Sequence, residues 1–113
     1  MADGGKFRIV RAAVEDLKLA EQAIREVHHR PLPDTNTLQD FLSDPSDYLL
    51  LAVEEGAVAG SLNGYALRRP HRCEAQFLLY EIDVLPEHRG RGVGTALVRQ
   101  FVDEARLAGA FEV

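Results

Sequence analysis

The chain has 113 residues, 46% hydrophobic and 27% charged, the make-up of one globular domain able to bury roughly two-thirds of its unfolded surface. A net charge of −5 argues against the basic footprint of a nucleic-acid binder, and the longest apolar run, Tyr48 to Val53, is far too short to span a bilayer. The single cysteine, Cys73, can form no internal disulfide and stands at no metal-binding spacing from a partner.

The opening residues, MADGGKFRIV, lack the basic, apolar and small-residue zones of a signal peptide, so a cytoplasmic protein is expected. Phe7 to Val10 alternates weakly and reads as a first strand. From Val14 to Val27 the residues Leu17, Ala20, Ile24 and Val27 fall at helical spacing among charged neighbours, which predicts an amphipathic helix. His28 and His29 close it as a pair favoured by the helix dipole, with no metal partner at usable spacing. Pro31 and Pro33 bar further helix. A short helix over Leu38 to Leu42 follows, capped by Asn36 or Thr37 and closed by Pro45. Asp34, Asp40, Asp44 and Asp47 in this region are either caps and a solvated face or an acidic wall that would attract a cation.

Tyr48 to Glu54 and Val58 to Leu67 read as two strands joined by a turn at Glu55-Gly56-Ala57. Gly60 and Gly64 weaken the second strand and suggest a bulge. Arg68 to Glu74 is a polar, exposed turn. Gln76 to Leu85 carries the nearly continuous apolar run Phe77-Leu-Leu-Tyr-Glu-Ile, the mark of a central strand. After Gly92 the stripe Leu97, Val98, Phe101, Val102, Ala105 and Ala108 predicts a helix ended by Gly109, and Ala110 to Val113 resembles the start of another strand. The order is β-α-α-β-β-β-α-β, a mixed α/β layer in a single domain over residues 1–113.

The chemistry concentrates where the fourth strand ends. Glu81-Ile-Asp-Val-Leu-Pro-Glu-His runs into Arg89-Gly-Arg-Gly-Val-Gly94 and then into the last helix. A strand feeding a helix through glycines aims unpaired N–H groups and the positive helix end at one point, which makes an anion site. There is no Gly-Lys-Ser/Thr here for a Walker loop. A G-x-G-x-x-G fingerprint fails as well, because Thr95 or Leu97 stands where it needs glycine. What fits is the pattern Q/R-x-x-G-x-G/A.

On that motif, its position after the fourth strand and the two helices after the first, the sequence resembles the GNAT superfamily of acetyl-CoA-dependent N-acetyltransferases. Segments of residues 30 to 113, among them S-D-Y-L-L-L-A-V and L-Y-E-I-D-V, are similar to type I aminoglycoside 3-N-acetyltransferases. The resemblance implies a mostly antiparallel central sheet flanked by helices, with acetyl-CoA as co-substrate and no metal. Backbone amides of Arg89, Gly90, Arg91, Gly92, Val93, Gly94 and Thr95 would cradle the pyrophosphate. The main chain near Asp83 and Val84 would pair with the pantetheine arm.

Amine acetylation needs a base for the ammonium proton. The resemblance makes Glu81 the first choice, Asp83 the second and Tyr80 a substrate contact. On a regular strand Glu81 and Asp83 share one face, with Tyr80, Ile82 and Val84 on the other; a bulge would change this. The expected acceptor is a small cationic amine, an aminoglycoside first, a polyamine or protein amine second; a non-catalytic coenzyme-binding module is the third reading. Complete members of the superfamily continue past Val113, so the chain is expected to be C-terminally truncated, with a homodimer as one way to complete the sheet.

Overall fold

The computed structural model describes residues 6–109. Four strands, β1 (Arg8–Arg11), β2 (Asp47–Glu54), β3 (Ala57–Leu67) and β4 (Gln76–Val84), form one antiparallel sheet in the order β1-β2-β3-β4. Between β1 and β2 a 3₁₀ turn (Val14–Asp16) leads into α1 (Leu17–Gln22), which continues as a π turn (Ala23–Val27), and α2 (Thr35–Ser43) follows. A second 3₁₀ turn (Pro86–His88) and α3 (Val93–Leu107) come after β4. The architecture is α/β, as expected, and the residues read as a final strand lie outside the described ones.

Alternation along β2 splits the core into two layers. Leu49, Leu51 and Val53 face α1 and α2 together with Ala20, Ala23, Val27 and Leu38. Tyr48, Leu50 and Ala52 face α3, where they meet Leu62, Phe77, Leu97 and Phe101. The β2–β3 hairpin turns on Glu55 and Gly56, both at positive φ (53° and 79°), the two-residue geometry that matches strand twist.

One expectation is corrected. The cap of α2 is Asp34, whose Oδ1 accepts the Thr37 N–H at 2.7 Å; that bond holds its carboxyl below the usual aspartate range. With Asp44 accepting from the Ser46 N–H, two of the four acids of the supposed wall are engaged locally. β4 is the last strand of the sheet among the described residues, and Leu78 and Tyr80, on the face away from α3, are exposed.

The register of β4, open in the sequence, carries a bulge. β4 pairs Leu79 with Gly64 but Glu81 with Asn63, leaving Tyr80 as the extra residue of a bulge. Phe77 and Leu79 lie on the α3 side before it, and Ile82 and Val84 after it. Tyr80 therefore parts from Ile82 and Val84, while Glu81 and Asp83 turn together to the α1 side.

Gly64 lies under α3. A Cβ there would stand 2.5 Å from Phe101 Cζ and 2.9 Å from the Leu78 carbonyl oxygen, so only glycine lets the ring sit on the sheet.

Candidate active site

Two sites share β4. At its C-terminal end the chain passes Pro86–His88 and turns through Gly90 (φ 79°) and Gly92 (φ 84°), conformations that side chains with a Cβ adopt only under strain. Gly92 is the N-cap of α3 and offers no capping side chain. The first N–H groups of the helix therefore lack a side-chain cap and an intrahelical acceptor. A Cβ placed on Gly90 or Gly92 would meet nothing within 4 Å, so this backbone face is open. It forms a concavity of about 260 Å³ with Val84, Arg89, Val93, Gly94 and Thr95 in its lining. The arrangement fits a pyrophosphate bound by main-chain amides.

The two arginines of the motif hold the loop in place. Arg89 Nε donates to the Val84 carbonyl at 3.0 Å. Arg91 donates both Nη groups to Glu54, at 3.0 and 2.8 Å, and His88 Nδ1 lies 3.2 Å from the same carboxylate. A bidentate pair of this kind fastens the loop to the end of β2.

The Arg91 hydrogen bonds, with His88 adding attraction, hold the Glu54 carboxyl below the usual glutamate range. Because its folded pKa is depressed, the stability it contributes is complete above the ordinary glutamate range and is lost as pH falls through the lowered value. Glu54→Gln is accordingly expected to melt lower than the wild type at neutral pH, and the two melting temperatures to converge in acid. A gap that stays constant with pH in thermal melts would exclude this source of acid sensitivity.

The second site is a cavity of about 320 Å³ between β4, β3 and the α1–α2 connection. Phe41, Tyr65 and Tyr80 line it and contact one another edge to face, at 6.0 Å for Phe41–Tyr65 and 5.9 Å for Tyr65–Tyr80. Its polar lining includes His28, Arg30, Asn63 and Glu81. Arg30 Nη2 donates to Glu81 Oε2 at 3.0 Å, and this bond raises the arginine pKa further. Glu81 and Val84 are three residues apart on one strand, so the two sites lie roughly 10 Å apart at ~3.3 Å per residue.

The carboxylates of Glu81 and Asp83 meet a residue that sequence reasoning left out. His28 Nδ1 lies 3.1 Å from Asp83 Oδ2 and 3.8 Å from Glu81 Oε1, and its side chain is only 4% exposed. Spacing gave His28 no partner, but the fold supplies two. The signal was present: His28 lies four residues after Ile24 and so continues the apolar face of the helix. Donor atoms of His28, Glu81 and Asp83 all fall within 4.8 Å of one another, close enough for a metal ion to share. The His28–Asp83 hydrogen bond and the Arg30–Glu81 ion pair occupy the same groups without one. Of the predicted site residues, Tyr80 and Glu81 enter the cavity lining. Asp83 stands behind them on His28. The loop residues gather at the α3 N-terminus.

Comparison with known proteins identifies the family. The model of the acetyltransferase (GNAT) family matches residues 11–113. Over 75 residues, 66% of the chain, the sequence is 29% identical to N-acetyltransferase 8 of Rattus norvegicus and 32% identical to N-acetyltransferase 8B of Homo sapiens. The match spans 34% and 33% of those relatives' own lengths. Among solved structures, an aminoglycoside acetyltransferase from an uncultured soil metagenomic sample in complex with sisomicin superposes with a TM-score of 0.80 at 25% identity, covering 96% of this chain and 75% of that one. A ribosomal-protein-alanine N-acetyltransferase from Brucella melitensis biovar Abortus 2308 shares the fold with a TM-score of 0.74 at 20% identity, covering 95% and 76%. No helix among the described residues is long and apolar enough to cross a membrane. With the family match spanning nearly the whole sequence and the glycine loop seated where β4 meets α3, the chain belongs to the GNAT family of acetyltransferases.

Proposed function

We propose that the chain is an acetyl-CoA-dependent N-acetyltransferase acting on a small amine, with an aminoglycoside as the first acceptor class to test. The observation that carries this is the pairing of two complementary sites on one edge strand: an open amide cradle at the C-terminal end of β4 and a cavity beside Glu81. Acetyl-CoA supplies the activated thioester. The backbone from Arg89 to Thr95 holds the pyrophosphate end, and the outer edge of β4 near Asp83 and Val84, which meets no strand among the described residues, offers main-chain groups to the pantetheine arm. Glu81 binds the acceptor ammonium and takes its proton, replacing Arg30 as the partner of that charge. Tyr80 packs against the acceptor at the mouth of the cavity.

The aminoglycoside reading is supported by the likeness to the sisomicin-bound acetyltransferase. A second reading, an amine carried on a less polar body, is favoured by the three aromatic rings of the cavity and by the cationic Arg30 beside Glu81.

Calorimetric titration of the chain with acetyl-CoA, with NAD and ATP as controls, tests the first half of the proposal. Binding is expected for acetyl-CoA alone. It should weaken about tenfold or more in Gly92→Val, where a β-branched residue is strained at φ 84°. Heat of the same size in that variant would remove the loop from the site. Thiol release from acetyl-CoA with aminoglycosides, polyamines and arylalkylamines then separates the acceptor classes.

A further inference from the structure

His28 is a buried polar residue to which the N-acetyltransferase reading gives no task. The helix leading to it is built to deliver it. The His28 N–H reaches back five residues to the Ala23 carbonyl at 3.0 Å, Arg30 N–H reaches back six to Ile24 at 2.9 Å, and His29 adopts φ 55°. A π turn followed by a left-handed residue is a costly way to end a helix, and such turns gather at functional positions. Here the outcome is that the imidazole is enclosed beside Glu81 and Asp83, 53 and 55 residues further along the chain.

Those carboxylates stand two residues apart on one face of β4. Two carboxylates so close repel unless a donor stands between them. A glutamate that is to accept a proton from an ammonium must be ionised beforehand. The Arg30 guanidinium reaches Glu81 from outside, with 60% of its side chain exposed, and the acceptor cation must displace it. His28 is the inner partner and stays in place.

We infer that His28 is a positioning residue for the proton-accepting Glu81: its Nδ1–H, donated to Asp83 and facing Glu81, offsets the repulsion between the carboxylates and fixes the strand end on which they sit. Asp83 is thereby committed to the imidazole, and Glu81 is left to the cavity. The Nε2 atom is buried and has no hydrogen-bond partner among the described residues, so the contact that anchors the ring is the one made by Nδ1. This inference rests on the N-acetyltransferase reading.

The test compares His28→Ala, His28→Asn and His28→Gln with the wild type, using the amine that the wild type acetylates best. In Asn the amide nitrogen can take the place of Nδ1; in Gln it is carried one bond too far. His28→Ala is expected to lose about 10- to 100-fold in kcat, as misplaced catalytic groups do, with little change in the amine KM and none in acetyl-CoA binding by calorimetry. His28→Asn should recover most of that loss and His28→Gln little of it. A proton resonance from the imidazole Nδ1–H, slow to exchange in the wild type and shifted in Asp83→Asn, is expected whether or not turnover is measured. If His28→Asn folds and is no better than His28→Ala, or if the loss falls on KM alone, the positioning role is overturned while the acetyltransferase reading stands. If the wild type binds acetyl-CoA but acetylates no amine, the acetyltransferase reading fails and takes this role with it, whatever the resonance shows of the hydrogen bond.

Discussion

Glu81→Gln is expected to lower kcat/KM for the acceptor amine by about 10²- to 10⁴-fold, the usual contribution of a positioned general base, and to leave acetyl-CoA binding unchanged. The amide keeps the size of the side chain and its place in the cavity lining, but it can neither take a proton nor balance an ammonium charge. The effect should exceed that of Asp83→Asn, because Asp83 faces His28 and is absent from the cavity lining. Steady-state rates of thiol release for the two variants decide the matter. A greater loss in Asp83→Asn would transfer the role of base to Asp83 and refute the assignment made from the cavity. The comparison also bears on the bulge, since Tyr80 and Glu81 both reach the cavity only because β4 has one residue more than β3 at that point.

The second large effect concerns folding. Gly64→Ala is expected to destabilise the protein by about 1–3 kcal/mol, the range for overpacking a tight interior. For a chain of this size each kcal/mol lowers the melting temperature by roughly 4–8 °C. The new methyl would stand 2.5 and 2.6 Å from the Phe101 ring. That ring cannot easily retreat: it is fully buried and wedged against Phe77 at 5.7 Å and Tyr48 at 5.9 Å. Phe101→Leu frees space at the same point. The double variant should therefore lose less stability than the sum of the two single variants, a coupling visible in a thermal or denaturant double-mutant cycle. Strict additivity would show that the methyl is accommodated by the sheet and not by the ring.

Much of this was legible in the sequence because it depends on the backbone. Gly90 and Gly92 announce positive φ by their identity, and the apolar stripe of α3 announces a buried face, so the loop and its helix could be read locally. The Asp34 cap was missed because Asn36 and Thr37 are equally good capping types, and only the path of the chain after Pro33 chooses among them. The apolar run Phe77 to Ile82 draws on both faces of β4, and only Phe77, Leu79 and Ile82 pack toward α3. Leu78 and Tyr80 lie exposed on the opposite face. His28 was the larger omission. Its task depends on carboxylates more than fifty residues away and on a π turn that rotates the chain at Ala23–Val27. The local pattern of the helix contains neither.

The extra residue at Tyr80 also makes the site a matter of counting. Were β4 to run without the bulge while keeping every residue, its two faces beyond Tyr80 would be exchanged, sending the carboxylates of positions 81 and 83 toward the oily layer under α3 and the side chains of Ile82 and Val84 toward the cavity. Every residue type needed for chemistry would still be present, in the same order, and the site would be gone.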